Sequence, residues 1–213
     1  MPVKTDREYR KVNAVFETRQ AEDGQMIVEG YATTFGQPYE LYRNKDMVVN
    51  EQVAPDAFAE CDMSDVIMQY DHEGRVFARV NNGTLELTPD EHGLRVRANL
   101  GGTEIGRQLY EEIRGGYTDK MSFGFTVSAD ERKESRDAEG RISILRTIRK
   151  IGKLFDVSAV SLPANDATEI SARNIGDGLI AEVQKELLAR EERERRIGEI
   201  RKILNREDEN HEE

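Results

Sequence analysis

Residues 119–128 read DKMSFGFTVS, and the fold turns on how this stretch is read. Met121, Phe123 and Phe125 alternate with Ser122 and Gly124, a period of two that sends large apolar side chains to one face of an extended chain. The small residues share the other, uncrowded face. A serine beside glycine there leaves room for another chain to approach, yet many ordinary half-exposed strands look the same. Locally, Ser122 is balanced between a solvated filler and a nucleophile.

The surroundings of this strand extend the pattern. Just upstream, TEIGRQLYEEIRGG (103–116) changes period: Ile105, Leu109 and Ile113 recur every four residues, Thr103 can cap the start and Gly115-Gly116 stop the end. Downstream, ADERKESRDAEGR (129–141) reads as a charged connector and RISILRTIRK (141–150) as a strand. LFDVSAVSLPAN (154–165) is a nearly continuous apolar run that Pro163 ends. Toward the N-terminus, KVNAVFET (11–18) and QMIVEGYA (25–32) flank the turn dipeptide Asp23-Gly24 and predict a hairpin. VAPDAFAE (53–60) suggests a short helix with Pro55 in its first turn, and DVIMQYDH (65–72) a short apolar run. RVFARV (75–80), GTLELT (83–88) and GLRVRANL (93–100) predict an antiparallel meander with turns at Asn82-Gly83 and PDEHG (89–93).

From Gly178 the composition changes to helix formers with interleaved charges. Leu179, Val183 and Leu187 form one stripe and Ile197, Ile200 and Leu204 another, but REERERR (190–196) between them has no apolar face. The expectation is a domain over 1–175 and a charged helical arm over 176–213.

The 213 residues suffice for one substantial domain plus such an appendage. A net charge of -11 argues against a general nucleic-acid binder, which needs clustered Lys and Arg. No run is long and apolar enough for a signal peptide core or a membrane span, so no membrane partner is expected. Cys61 is the only cysteine, which rules out an intramolecular disulfide and suggests a reducing compartment, the cytoplasm. No histidine stands near it in sequence to make it a nucleophile.

Chemistry is constrained by exclusion. There is no phosphate-binding glycine loop, no dinucleotide fingerprint, no H-E-x-x-H and no G-x-S-x-G. Asp71-His72-Glu73 suggests a metal, but adjacent residues of an extended chain point to opposite faces and no second histidine stands at ligand spacing. Neither a metal nor a cofactor is expected. Of the three histidines, His211 is in the charged tail and His92 in a surface turn, leaving His72 as the candidate base or a satisfied strand-end residue. Asp156 shares a period-two face with Leu154, Ser158 and Val160. A carboxylate there needs donors: an imidazole N–H, backbone amides, or water at an exposed sheet end.

Together these blocks resemble the prohead maturation proteases of tailed bacteriophages, serine proteases with a fold similar to herpesvirus assemblin. VEGYATTFG (28–36) is similar to the family's first strand, and VAPDAFAE to its P-G-A-F helix, with Asp56 in place of glycine. MQYDHEGRVFARVNNGTLELTPDEHGLRVRANL (68–100) resembles the histidine block, IRGGYTDKMSFGF (113–125) the serine block and LFDVSAVSLPANDATEI (154–170) the acidic block. The resemblance implies an α+β fold, mainly antiparallel β: an assemblin-like barrel or sheet core with a few short peripheral helices. It implies Ser122 as nucleophile, His72 as general base and Asp156 as the residue that orients His72. Two departures stand out: N-H-D around the histidine is here Asp71-His72-Glu73, and the usual glutamate is Asp156. Backbone amides near Ser122–Gly124 and Arg146 or Arg149 are the candidates for an oxyanion hole.

Substrates implied are the scaffold, or the scaffold-like segment of the major capsid protein, and the protease itself. The implied location is the procapsid in the host bacterial cytoplasm, and the assemblin comparison suggests a homodimer. The alternative is a catalytically inactive scaffold or capsid-interaction protein of the same fold.

Overall fold

In the computed structural model, which describes residues 7–12, 16–20, 25–161 and 177–209, the stretch around Ser122 lies in a strand longer than its apolar alternation. Strand β10 runs Lys120–Arg136 and pairs antiparallel with β11, Ile142–Val160. The predicted charged connector is therefore mostly strand, and only residues 137–141 turn. Asp137 organises that turn by accepting from the Arg141 amide at 2.9 Å. Charges distributed over a solvated ribbon look like a loop in composition; pairs such as Arg149–Glu131 (2.6 Å) link the two strands there.

The two ends of β11 have different neighbours on its second edge. Residues 142–148 pair parallel with β5, Met47–Val53, and residues 156–159 pair parallel with β6, Ile67–Tyr70. Segment 53–60 lies against the gap between them. It forms consecutive turns instead of the predicted helix, because its backbone bonds β11: Ala54 N–H to Ile148 O, and Ile151 N–H to Ala57 O. Strand β1, Arg7–Val12, covers the free edge of β10. Strand β4, Tyr39–Arg43, flanks β5, and β7, Glu73–Arg79, flanks β6.

A second sheet has the order β2 (Glu17–Gln20), β3 (Met26–Thr34), β9 (Gly93–Asn99), β8 (Leu85–Pro89). The expected first hairpin is β2–β3; its turn at Asp23-Gly24 lies outside the described residues. KVNAVFET is divided, since its first two residues end β1 in the other sheet. The expected meander is divided as well. β7 stays with β6, and a 3-10 turn at Val80–Asn82, closed by Gly83 at φ +72°, leads into the second sheet. Only glycine adopts such a φ without strain. Helix α1, Glu104–Arg114, forms as its period requires, with Thr103 Oγ accepting from the Gly106 amide. The whole is an α+β fold dominated by antiparallel sheet.

Val28, Leu94 and Val96 of the second sheet, Leu109 and Ile113 of α1, and Phe123, Phe125 and Val157 of the first sheet form one core. Each large side chain so buried contributes about 1.5–3 kcal/mol. At its edge lies a buried ion network. Arg10 of β1 donates to both carboxylate oxygens of Glu51 (2.5 and 2.9 Å), and Arg146 donates to Glu51, Glu8 and Asp130. Tyr39 completes the Glu51 shell through its hydroxyl, at 2.5 Å. Burial works against the charge of Arg10, but Glu51 outweighs it and keeps the guanidinium protonated. Every partner of Glu51 is thus supplied by a different strand from its own.

The chain divides into two compact units, Met1–Ile175 and Gly176–Glu213. In the second, α2 runs Asp177–Glu209 as one helix, and its Leu188, Ile197 and Ile200 are exposed. Among the described residues no helix is long and apolar enough to cross a membrane.

Replacing Arg10 by Met should destabilise the first unit by about 3–5 kcal/mol in urea unfolding, because it leaves Glu51 buried with an incomplete shell. Pairing it with Glu51→Met should recover part of that loss. The network also predicts acid sensitivity. Burial raises the Glu8 carboxyl, but its bond to Arg146 and the charges of Arg10 and Arg146 hold it below its ordinary 4.5. Its contribution is therefore complete above about pH 4.5 and lost as pH falls through the lowered native value, which urea midpoints across pH 3–6 will detect.

Candidate active site

Ser122 and Asp156 come from the paired strands β10 and β11 and His72 from the β6–β7 hairpin turn, and the pairing register explains how they meet. Ser122 on β10 stands opposite Ser158 on β11, and Gly124 opposite Asp156, so all four positions share the face turned away from Phe123 and Phe125. The ladder slips by one residue at Phe155: Phe125 pairs with Leu154 while Gly124 pairs with Asp156. This bulge corrects the period-two expectation. Leu154 joins Phe125 on the core side, and Asp156, two residues on, faces the other way.

His72 arrives from the β6–β7 hairpin. Tyr70 pairs with Glu73, so Asp71 and His72 form a two-residue loop, with φ of 48° and 62°. Positive φ at both positions is the type I′ geometry, normally occupied by Asn-Gly, and for a histidine it is unfavourable by roughly 1–2 kcal/mol. Tertiary bonds hold the loop in place. The Asp71 amide donates to Ala159 O at 2.9 Å, and the Asp71 carboxylate accepts from the Ser161 amide (3.2 Å) and hydroxyl (3.0 Å). Asp71 is thus committed to Ser161 in this hairpin. Glu73 is exposed.

The ring spans the other two side chains. His72 Nδ1 is 2.5 Å from Asp156 Oδ1 and Nε2 is 2.6 Å from Ser122 Oγ. A carboxylate only accepts, so Nδ1 carries the proton and the free Nε2 lone pair accepts from the serine hydroxyl. Ser158 Oγ also donates to Asp156 Oδ1, at 3.0 Å. Asp156 is 1 % exposed and Ser122 fully buried. Chemically, this arrangement can deprotonate a hydroxyl and stabilise the imidazolium that forms.

The covering side chains come from β1. Tyr9 stands opposite Gly124, and its ring meets His72 edge-on with centroids 4.4 Å apart. Arg7 lies over the Phe155 ring at 3.8 Å. Neither residue carries a sequence signal, since they reach the site only through strand pairing. Ser158 did carry one, the i+2 position on the Asp156 face.

Other candidates fall elsewhere. Arg146 is bound up in the network around Glu51, and Arg149 pairs with Glu131, so neither is available as an oxyanion donor. Cys61 is pushed up to about 11 by burial, which leaves it a protonated thiol at neutral pH. His92 is exposed in its turn, its amide donating to Asp90; His211 lies outside the described residues. A groove of about 620 Å³ runs beside the His72 hairpin, between Glu73, Arg75 and Phe77 on one wall and Gln108 and Glu112 of α1 on the other.

The family model of the caudovirus prohead serine proteases matches residues 14–179. No curated protein matches the chain. Among solved structures, the bacteriophage T4 capsid assembly protease is similar at 14 % identity and a TM-score of 0.37, covering 72 % of this chain and 98 % of that one.

Gly124→Ala should disrupt the site directly. A Cβ there would run into Asp156 Oδ2 and lie 2.8 Å from the Tyr9 ring. The expected outcome is a loss of about 1–3 kcal/mol in urea unfolding. The downfield proton resonance of an imidazole bonded to a carboxylate should disappear with it.

Proposed function

The chain belongs to the caudovirus prohead serine protease family, and we propose that Ser122, His72 and Asp156 are the catalytic triad of its endopeptidase activity. Membership makes the protein a serine protease of capsid maturation. The observation that supports the triad is the position of His72, within hydrogen-bond distance of both Ser122 and Asp156. In the reaction, Ser122 Oγ attacks the peptide carbonyl as its proton passes to His72 Nε2. The tetrahedral intermediate then expels the amine, which takes that proton, and leaves an acyl ester on Ser122. Water repeats the sequence to release the acid. Asp156 holds the ring in the Nδ1–H tautomer and offsets the charge of the imidazolium. As aspartate, one methylene shorter than the family's glutamate, it can serve this role because β11 and β6 are directly paired.

The proposed substrates are the scaffold, or the scaffold-like segment of the major capsid protein, and the protease itself, cleaved inside the procapsid. The second reading, a capsid-interaction protein without activity, draws on one observation: Ser122 is fully buried, so a substrate reaches it only if covering side chains shift.

Co-expression with the major capsid protein of the same phage separates the two. Wild type should cleave the capsid protein and Ser122→Ala should not; Asp156→Asn should slow cleavage on the order of 10³–10⁴-fold. Equal processing by Ser122→Ala would remove the nucleophile assignment. No processing by wild type would favour the inactive scaffold.

A further inference from the structure

Strand β1 precedes the segment matched by the family model, yet it brings a cation to the site. Arg7 Nη1 lies 3.8 Å from Asp156 Oδ2. Of the two carboxylate oxygens, Oδ1 accepts from His72 and Ser158, whereas Oδ2 is buried without a hydrogen-bond partner. The Arg7 Nε is likewise buried and unpartnered. A carboxylate so placed is disfavoured in its ionised form unless a positive charge compensates, and the guanidinium is that charge. Two contacts hold it in place. It stacks on the ring of Phe155, the residue at the bulge, and donates to the Tyr9 hydroxyl at 3.3 Å. Three residues on in β1, Arg10 anchors the strand from the opposite face through Glu51.

We infer that Arg7 is a positioning residue of the proposed triad, whose guanidinium faces the otherwise unpartnered Oδ2 of Asp156 and opposes proton uptake by the Asp156–His72 pair. The inference rests on the triad reading. The charged or titratable positions on the face of the ring are Arg7, Tyr9 and, by register opposite Ser122, Lys11 of β1; Lys120 of β10; Asp156 of β11; and Asp71 and Glu73 of its own hairpin. Asp71 is occupied by Ser161, Glu73 is exposed and Lys120 pairs with Asp119; among the described side chains Arg7 is the Lys or Arg within 4 Å of Asp156. Whichever partner takes up a proton, a neighbouring cation opposes uptake, so removing it raises the midpoint of the pair.

Histidine-labelled full-length chain, titrated by NMR, tests this without a substrate. The His72 resonance is assigned by its loss in His72→Asn. In Arg7→Gln and Arg7→Met, which remove the charge but keep an unbranched side chain, the His72 midpoint should rise by about 0.5–1 pH unit. In Arg7→Lys it should stay close to wild type. An unmoved midpoint in a folded Gln or Met variant, or an equal rise in the Lys variant, overturns the role of Arg7. Failure of the triad itself is read separately, from capsid-protein processing by Ser122→Ala.

Discussion

The register between β10 and β11 governs the site. Ser122 faces the side of His72 and Asp156 and Phe123 the core side because the ladder pairs Ser122 with Ser158 and Phe123 with Val157. A one-residue slip would turn Ser122 into the core and two phenylalanines out of it. Burial of Met121, Phe123 and Phe125 fixes the register on one side, and the bulge at Phe155 adjusts it on the other. Without the bulge, Asp156 would continue the face of Leu154 and point into the apolar core, where a carboxylate finds no donor.

Strand β1 divides its side chains by the same alternation. Arg7 and Tyr9 face Asp156 and His72, while Glu8 and Arg10 join Glu51 and Arg146 on the other side. A buried ion pair is often no more stabilising than apolar residues of similar volume, so its use here is better understood as specificity of placement. The bidentate Arg10–Glu51 contact admits one register of β1, and that register sets Tyr9 against His72.

The histidine is held by strain that its neighbours offset. Two consecutive non-glycine residues at positive φ form a turn only because Asp71 ties it to Ala159 and Ser161. That explains a carboxylate beside the histidine where the family commonly has an amide. Its oxygens accept from both the amide and the hydroxyl of Ser161. The shorter Asp156 is accommodated in the same way, by geometry: parallel pairing of β6 with β11 brings the hairpin close enough for direct contact with the ring.

The amino-acid pattern by itself determined the apolar alternation around Ser122, helix α1 and its caps, the β2–β3 pairing and the candidate residues Ser122, His72 and Asp156. These follow from local periodicity, from turn chemistry and from resemblance, all carried by short stretches of chain. Tertiary structure alone decided the strand character of residues 129–136, the division of the meander between two sheets, the turns at 53–60 and the bulge that aims Asp156. It alone brought Arg7 and Tyr9 to the proposed triad and took Arg146 out of reach. The reason is physical. Each of these outcomes depends on hydrogen bonds and charges supplied by strands distant in sequence, and no local period records which strand edge a segment will meet.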